Sequence, residues 1–199
     1  MIQFPVMELF YSIQGEGVHS GTPAFFIRLG GCSVGCHWCD VKESWDASAH
    51  NQLEIEDIIA QVESSDAKTV IITGGEPCEY DLALLTKTLK NKGFQTHLET
   101  SGAFPITGEW DWICISPKKF KSPLESELRK ADELKVVIYN KSDFEWAIDH
   151  SLKVNDGCIQ LIQPEWSKQD SMNGPIIEFV KKNPAWRISL QTHKFLEIP

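Results

Sequence analysis

Residues Ala24–Asp40, "AFFIRLGGCSVGCHWCD", join an apolar run to a loop that carries three of the chain's six cysteines. The run has the length and the aromatic and β-branched character of a buried strand. Glycine and thiol follow at once, so a strand ends where reactive side chains begin. The same succession recurs along the chain. Strand-type runs occur at "AFFIRL", "TVIIT", "FQTHLE", "DWICIS", "LKVVIY", "CIQLIQ" and "RISLQTH".

Segments of helical period lie between these runs. "LEIEDIIAQVESS" repeats apolar residues at Ile55, Ile58, Ile59 and Val62, and Leu82, Leu85 and Leu89 repeat in the same way. Ser142 and Glu145 have capping-box spacing at the head of another helix. Pro175 of "PIIEFVKK" suits the first turn of a fourth. Strands alternating with helices imply right-handed crossovers and a parallel α/β sheet, open or closed as a barrel. In either form the carboxyl ends of the strands share one face, where sites are built. Polar residues fall at those ends: Thr73 in "TGGEP", Glu99 in "ETSG", Ser116 in "SPK", Gln160 in "QLIQP" and Gln191 in "QTH". Such residues are also common in turns, but five polar ends on one face outweigh that reading.

Composition bounds the setting. A chain of 199 residues forms one domain, spanning 1–199, and buries enough surface to need no disulfide. There is no signal-like segment and no apolar run long enough to span a bilayer, which points to a cytoplasmic protein with reduced thiols and no membrane partner. Acidic residues outnumber basic ones 28 to 19, a formal charge of −9. A broad phosphate-binding face, and with it direct nucleic-acid binding, is excluded on that balance.

Cys32, Cys36 and Cys39 form CxxxCxxC. Structural zinc normally takes four ligands offered as two pairs, and would need His37 or a distant cysteine as the fourth. A redox CxxC at Cys36 and Cys39 leaves the third thiol unexplained. Three thiolates suit an iron–sulfur cluster with one iron open to an exogenous molecule.

CxxxCxxC with an aromatic residue, Trp38, before the third cysteine resembles the radical S-adenosylmethionine superfamily, and "TGGEP" resembles its GGE segment. "SIQGEG", "PAFFIRLGGC", "ETSG", "SPK" and the terminal "QTHKFLEIP" resemble, over almost the whole chain, the 7-carboxy-7-deazaguanine synthase family. The resemblance implies a partial (β/α)6 TIM-like barrel, a homodimer, a [4Fe–4S] cluster on Cys32, Cys36 and Cys39, and S-adenosylmethionine cleaved by an electron from a donor such as flavodoxin or ferredoxin. It implies conversion of the pterin 6-carboxy-5,6,7,8-tetrahydropterin to 7-carboxy-7-deazaguanine with loss of ammonia, towards queuosine and other deazapurines. Hydrogen is removed from C6, the ring contracts, and the hydrogen returns, so the cofactor is regenerated.

By resemblance, Ile13, Gln14, Gly15, Arg28 and Thr73 lie at the substrate, with Glu16 at its guanidine-like edge and the Pro199 carboxylate nearby. Amide-like groups and a cation are what a carboxypterin requires. Cofactor positions fall on Trp38, Cys39 and Asp40, on Gly75 and Glu76, on Ser116, Pro117 and Lys118, and on Gln160, Leu161, Ile162 and Gln163. The family typically places a hydroxyl residue after the "CD" of the cysteine loop to help hold Mg²⁺; this chain has Val41. A methyl group cannot replace a hard oxygen ligand, so the Mg²⁺ requirement should be weak.

Cys114 and Cys158, in apolar runs, read as buried small hydrophobes, and Cys78 as a packing residue beside GGEP. His97 reads as a covered strand residue and His193 as near the active face. A glycyl-radical activating enzyme, which acts on a partner protein, and a non-enzymatic metal-binding module are the competing readings. The "IQGEG", Arg28 and terminal-proline pattern argues against the first; iron content and cofactor cleavage would separate the second.

Overall fold

A computed structural model describes residues 2–199. Its nine strands are β1 (Gln3–Ile13), β2 (Pro23–Leu29), β3 (Asn51–Glu54), β4 (Thr69–Gly74), β5 (Gln95–Thr100), β6 (Trp112–Ile115), β7 (Glu133–Ile138), β8 (Ile159–Pro164) and β9 (Trp186–Ile188). They form one sheet in the order β3-β1-β2-β4-β5-β6-β7-β8-β9. From β2 to β9 every pairing is parallel, as the alternation of runs requires. The helices are α1 (Ile55–Glu63), α2 (Ala83–Asn91), α3 (Glu125–Leu128), α4 (Asp143–Ser151), α5 (Gln169–Lys182) and α6 (Thr192–Leu196).

Side chains alternate across a strand, and that alternation separates core from site. Phe25, Ile27 and Leu29 of β2, Val70 and Ile72 of β4 and Leu98 of β5 join α1 and α2 in one apolar cluster. Leu134, Val136 and Ile138 of β7 and Ile162 of β8 join α4 and α5 in another. The intervening residues point to the opposite face. There Phe26 pairs in register with Ile71, Arg28 with Thr73, and Val137 with Gln163.

Several elements differ from the sequence reading. The sequence reading has no β1 or β3; both pair antiparallel, and Pro5 inside the run, with polar residues unevenly spaced along it, obscures β1 as a strand. No helix bridges β5 and β6, so one crossover is a loop. The expected strand "RISLQTH" stops at Ile188: Ser189 N–H still donates to the Ile162 carbonyl, but Thr192 N–H donates to Gly15, drawing the chain off the sheet into α6. Pro175 lies inside α5, not in its first turn, because the helix opens at Gln169 directly from a 3-10 turn over Trp166–Lys168.

The expected capping box at Ser142 and Glu145 does not form. Ser142 is already helical in backbone and makes no side-chain cap. The turn before the helix is held instead by Asn140, whose Oδ1 accepts from Ser142 N–H at 2.9 Å, and by Asp143, whose Oδ2 reaches back to accept from Tyr139 N–H at 2.8 Å and Asn140 N–H at 2.7 Å. Asp143→Ala is therefore expected to cost about 1–3 kcal/mol in urea unfolding, and Ser142→Ala less than about 0.5 kcal/mol. Equal costs would show that the Asp143 hydrogen bonds do not hold this turn.

Candidate active site

The carboxyl ends of the strands enclose a cavity of about 610 Å³. Cys32, Cys36 and Cys39 all line it. Their loop is stitched to its surroundings: Gly31 N–H donates to the Ser44 carbonyl, Cys39 N–H to the Cys36 carbonyl, and Ser33, through both N–H and hydroxyl, to Glu79 Oε1 at 2.7 Å. Among the described residues no set of three His, Cys, Asp or Glu converges on a single-ion position. A cubane takes one thiolate per iron, so a cluster needs thiols spread around one space, and these three share one. Burial pushes the Cys36 thiol up to about 11, against the opposing pull of Lys118. Binding of iron there would release a proton.

The GGE segment is locked against the root of this loop. Gly75 N–H donates to the Leu29 carbonyl and Glu76 N–H to the Gly31 carbonyl, each at 2.8 Å. A Cβ on Gly75 would strike the Gly31 carbonyl, so glycine here permits the approach of two backbones. Glu76 is buried and already saturated. Its Oε1 accepts from Cys78 N–H and the Thr100 hydroxyl, and its Oε2 from the N–H and hydroxyl of Ser101. A carboxylate has about four acceptor sites, so Glu76 braces the ends of β4 and β5. Because its donors are spent internally, the segment can offer a ligand only acceptors, which suit an ammonium group.

All seven residues expected at the substrate line the cavity: Ile13, Gln14, Gly15, Glu16, Arg28, Thr73 and Pro199. Of the cofactor positions, Trp38, Asp40, Gly75, Glu76, Ser116, Lys118 and Gln163 do so. Pro117, Gln160, Leu161 and Ile162 do not. Alternation is the reason: Ile162 belongs to the helix-side core, and Gln160 and Leu161 lie at least two residues below the carboxyl end of β8. Lys118 donates to Ser116 at 2.5 Å and lies over the Trp38 ring. Arg28 is held by Glu8 at 2.5 Å and over Phe10, with most of its guanidinium donors still free. Cys78 packs in the core and does not line the cavity.

One group escaped the sequence reading. Lys135, in the apolar run "LKVVIY", lines the cavity with only 3% of its side chain exposed. Its ammonium donates to Glu16 Oε2 at 2.6 Å and to Glu99 Oε2 at 3.0 Å. Gln14 donates to the other Glu99 oxygen at 2.7 Å, and Gln191 to Glu16 Oε1 at 2.8 Å. A lysine flanked by buried strand residues was the available signal. Burial by itself would raise the Glu16 carboxyl, but the Lys135 ammonium and hydrogen bonds from Lys135, Gln191 and Gln163 hold it down at about 2. Burial would lower Lys135, but Glu16 and Glu99 keep it well above its ordinary value.

Because the folded value of Glu16 lies below its ordinary 4.5, its stabilisation is complete above about pH 4.5 and is lost as pH falls towards 2. Lys135→Met leaves two carboxylates without their cation and is expected to cost about 3 kcal/mol at pH 7. It should also flatten the loss of stability between pH 4.5 and the lowest accessible pH in urea titrations. An unchanged slope would free Glu16 from this pairing.

Comparison with known proteins agrees with this geometry. The Radical SAM superfamily model matches residues 26–115. A 7-carboxy-7-deazaguanine synthase of Flavobacterium psychrophilum is 54% identical over 98% of this chain and 92% of its own length. That of Synechocystis is 45% identical over 99% and 94%. The crystal structure of QueE from Escherichia coli superposes with a TM-score of 0.83 at 33% identity, covering 96% of this chain and 95% of that one. With near-complete relatives well above 30% identity, and the thiols, the GGE segment and the polar strand ends gathered in one cavity, the chain belongs to the 7-carboxy-7-deazaguanine synthase family of radical SAM enzymes.

Proposed function

We propose that this chain is a lyase that converts 6-carboxy-5,6,7,8-tetrahydropterin to 7-carboxy-7-deazaguanine with release of ammonia, in the biosynthesis of queuosine and related 7-deazapurines. The observation that carries the reading is one cavity lined both by three thiols and by Gln14, Glu16, Arg28 and Thr73. When bound, the [4Fe–4S] cluster and S-adenosylmethionine supply the reductive cleavage and the hydrogen-atom acceptor that ring contraction needs.

The residues divide the remaining work. Cys32, Cys36 and Cys39 hold the cluster. The acceptors of the Gly75 segment take the cofactor's amino group, while Ser116 and Gln163 serve its ribose and adenine edges. Gln163 is oriented for this by Ser189, whose hydroxyl donates to its Oε1 at 2.7 Å. Arg28 meets the substrate carboxylate with the donors that Glu8 leaves free. Glu16, kept ionised by Lys135, and Glu99 accept from the guanidine-like edge. Phe10 and Phe26, stacked with centroids 5.0 Å apart, supply an apolar wall against water.

The reading extends to a single-domain cytoplasmic homodimer served by a one-electron donor. Among the described residues all six cysteines are free and no helix is long and apolar enough to cross a membrane. Magnesium has a weak place in it. Val41 presents methyl groups to the cavity, and Asp40 is engaged by Lys194 at 2.8 Å.

Anaerobic turnover tests the proposal: reconstituted protein with dithionite, S-adenosylmethionine and 6-carboxytetrahydropterin should yield carboxydeazaguanine by mass spectrometry. Cys36→Ala should abolish it. Deoxyadenosine without that product would discard the substrate, and a loaded protein that makes neither would discard the reaction. Withholding Mg²⁺ should change the rate less than about threefold, whereas Val41→Thr, which restores a hard oxygen, should raise the dependence. A strict Mg²⁺ requirement in the unaltered chain would show that Val41 does not govern it.

A further inference from the structure

β1 changes face partway along its length. Phe4 and Val6 belong to the apolar core, and strict alternation would carry Glu8 there next. An irregular register between Val6 and Glu8 prevents it. Leu9 packs against the core instead, while Phe10 turns to the cavity and Glu8 comes directly opposite Arg28. Bulges of this kind re-aim side chains beside active sites. Here the side chain re-aimed is a carboxylate, and it is set on the one arginine that lines the cavity among the described residues.

The contact takes a particular donor. Glu8 Oε2 accepts from Nη1 at 2.5 Å, the guanidinium lies over the Phe10 ring at 5.2 Å, and Phe10 stacks in turn on Phe26. Nη1 is the nitrogen that does not lie beside Nε–H, so the Nε–Nη2 edge stays free. That edge is a pair of parallel donors able to meet a planar anion in two hydrogen bonds. Thr73, in register with Arg28 on the next strand, lines the same cavity.

Charge sets a second limit. Glu8 cancels the charge of Arg28, and of the aspartate, glutamate, lysine and arginine side chains that line the cavity five are acidic and four basic. A ligand carboxylate still gains the directed hydrogen bonds of the free edge. A phosphate monoester, which carries close to two negative charges at neutral pH and above, is repelled by Glu8 twice as strongly as a monoanion. We infer that Glu8 is a specificity-determining residue: it aims Arg28 and offsets its charge, so that the site accepts a pterin carboxylate and rejects a pterin phosphate monoester. The inference rests on the proposed function, which sets Arg28 against the substrate carboxylate.

Two fluorescent oxidised pterins, 6-carboxypterin and 6-hydroxymethylpterin monophosphate, test this by equilibrium dialysis. Neither has a hydrogen on C6, so binding is read without turnover. The cluster-loaded full chain is used at pH 8, with S-adenosylmethionine and no reductant. The unaltered chain should hold the carboxypterin about tenfold or more tightly than the phosphopterin. Glu8→Gln keeps an oxygen for Nη1 and removes the charge, and a dianion responds to that loss twice as strongly in free energy. The carboxypterin should therefore tighten about threefold and the phosphopterin about tenfold. Glu8→Ala removes the anchor as well, and should bind the carboxypterin about fivefold more weakly than Glu8→Gln does. A residue that merely supports the fold would weaken both pterins alike in both variants, and that result would overturn the inference. So would an unchanged preference in Glu8→Gln. If the unaltered chain holds neither pterin and makes no product from 6-carboxytetrahydropterin, the proposed function falls; product formation without preference between the two pterins overturns the inference alone.

Discussion

A lysine ammonium in the wall of the cavity, 3% exposed and shared between two carboxylates, holds this structure's parts in place. Lys135 stands on β7, Glu99 on β5, and Glu16 on the loop between β1 and β2. Taking three charges out of water is expensive, and an apolar packing of similar volume is often as stable. The arrangement is therefore better understood as positioning than as stabilisation. It fixes the β1–β2 loop over the strand ends, and Gln191, bound to Glu16, brings the end of the chain to the same point. Thr192 and Ser189 add bonds to Gly15 and Gly17. An open sheet thus has its far edge linked to its near side through polar contacts at one end.

The cysteine loop and the GGE segment depend on each other in a similar way. Their contact is backbone to backbone, Leu29 and Gly31 against Gly75 and Glu76, and Glu76 anchors it from below with four accepted hydrogen bonds. The acid of this motif acts within the protein, holding the ends of two strands. A ligand meets the polypeptide that this carboxylate has positioned.

Charge is distributed to match. The chain is acidic overall, yet lysines gather around the thiols: Lys118 against Trp38 inside the cavity, and Lys119, Lys121 and Lys168 outside it. Burial lowers the Lys118 ammonium and raises the Cys36 thiol, and the attraction between their charges opposes both shifts.

Much of this was legible in the primary structure. The apolar runs "AFFIRL", "TVIIT" and "LKVVIY", alternating with segments of helical period, determined parallel strands, and the residues just past their ends determined which chemistry would converge. CxxxCxxC and GGE, set at those ends, determined the kind of cofactor. What tertiary structure alone decided involves contacts between distant segments. β1 forms because β2 offers an edge, and β3 because β1 then offers another, not because their own pattern demands it. Asp143, not Ser142, holds the turn at the head of α4 because the chain between β7 and α4 presents two N–H groups to it. Gln160, Leu161 and Ile162 do not line the cavity because a strand shows it only the residues at its upper end on the inner face. Lys135 becomes a site residue because Glu16 and Glu99, 119 and 36 positions away, reach the same few ångströms, and a buried charge takes its meaning from partners that local sequence does not contain.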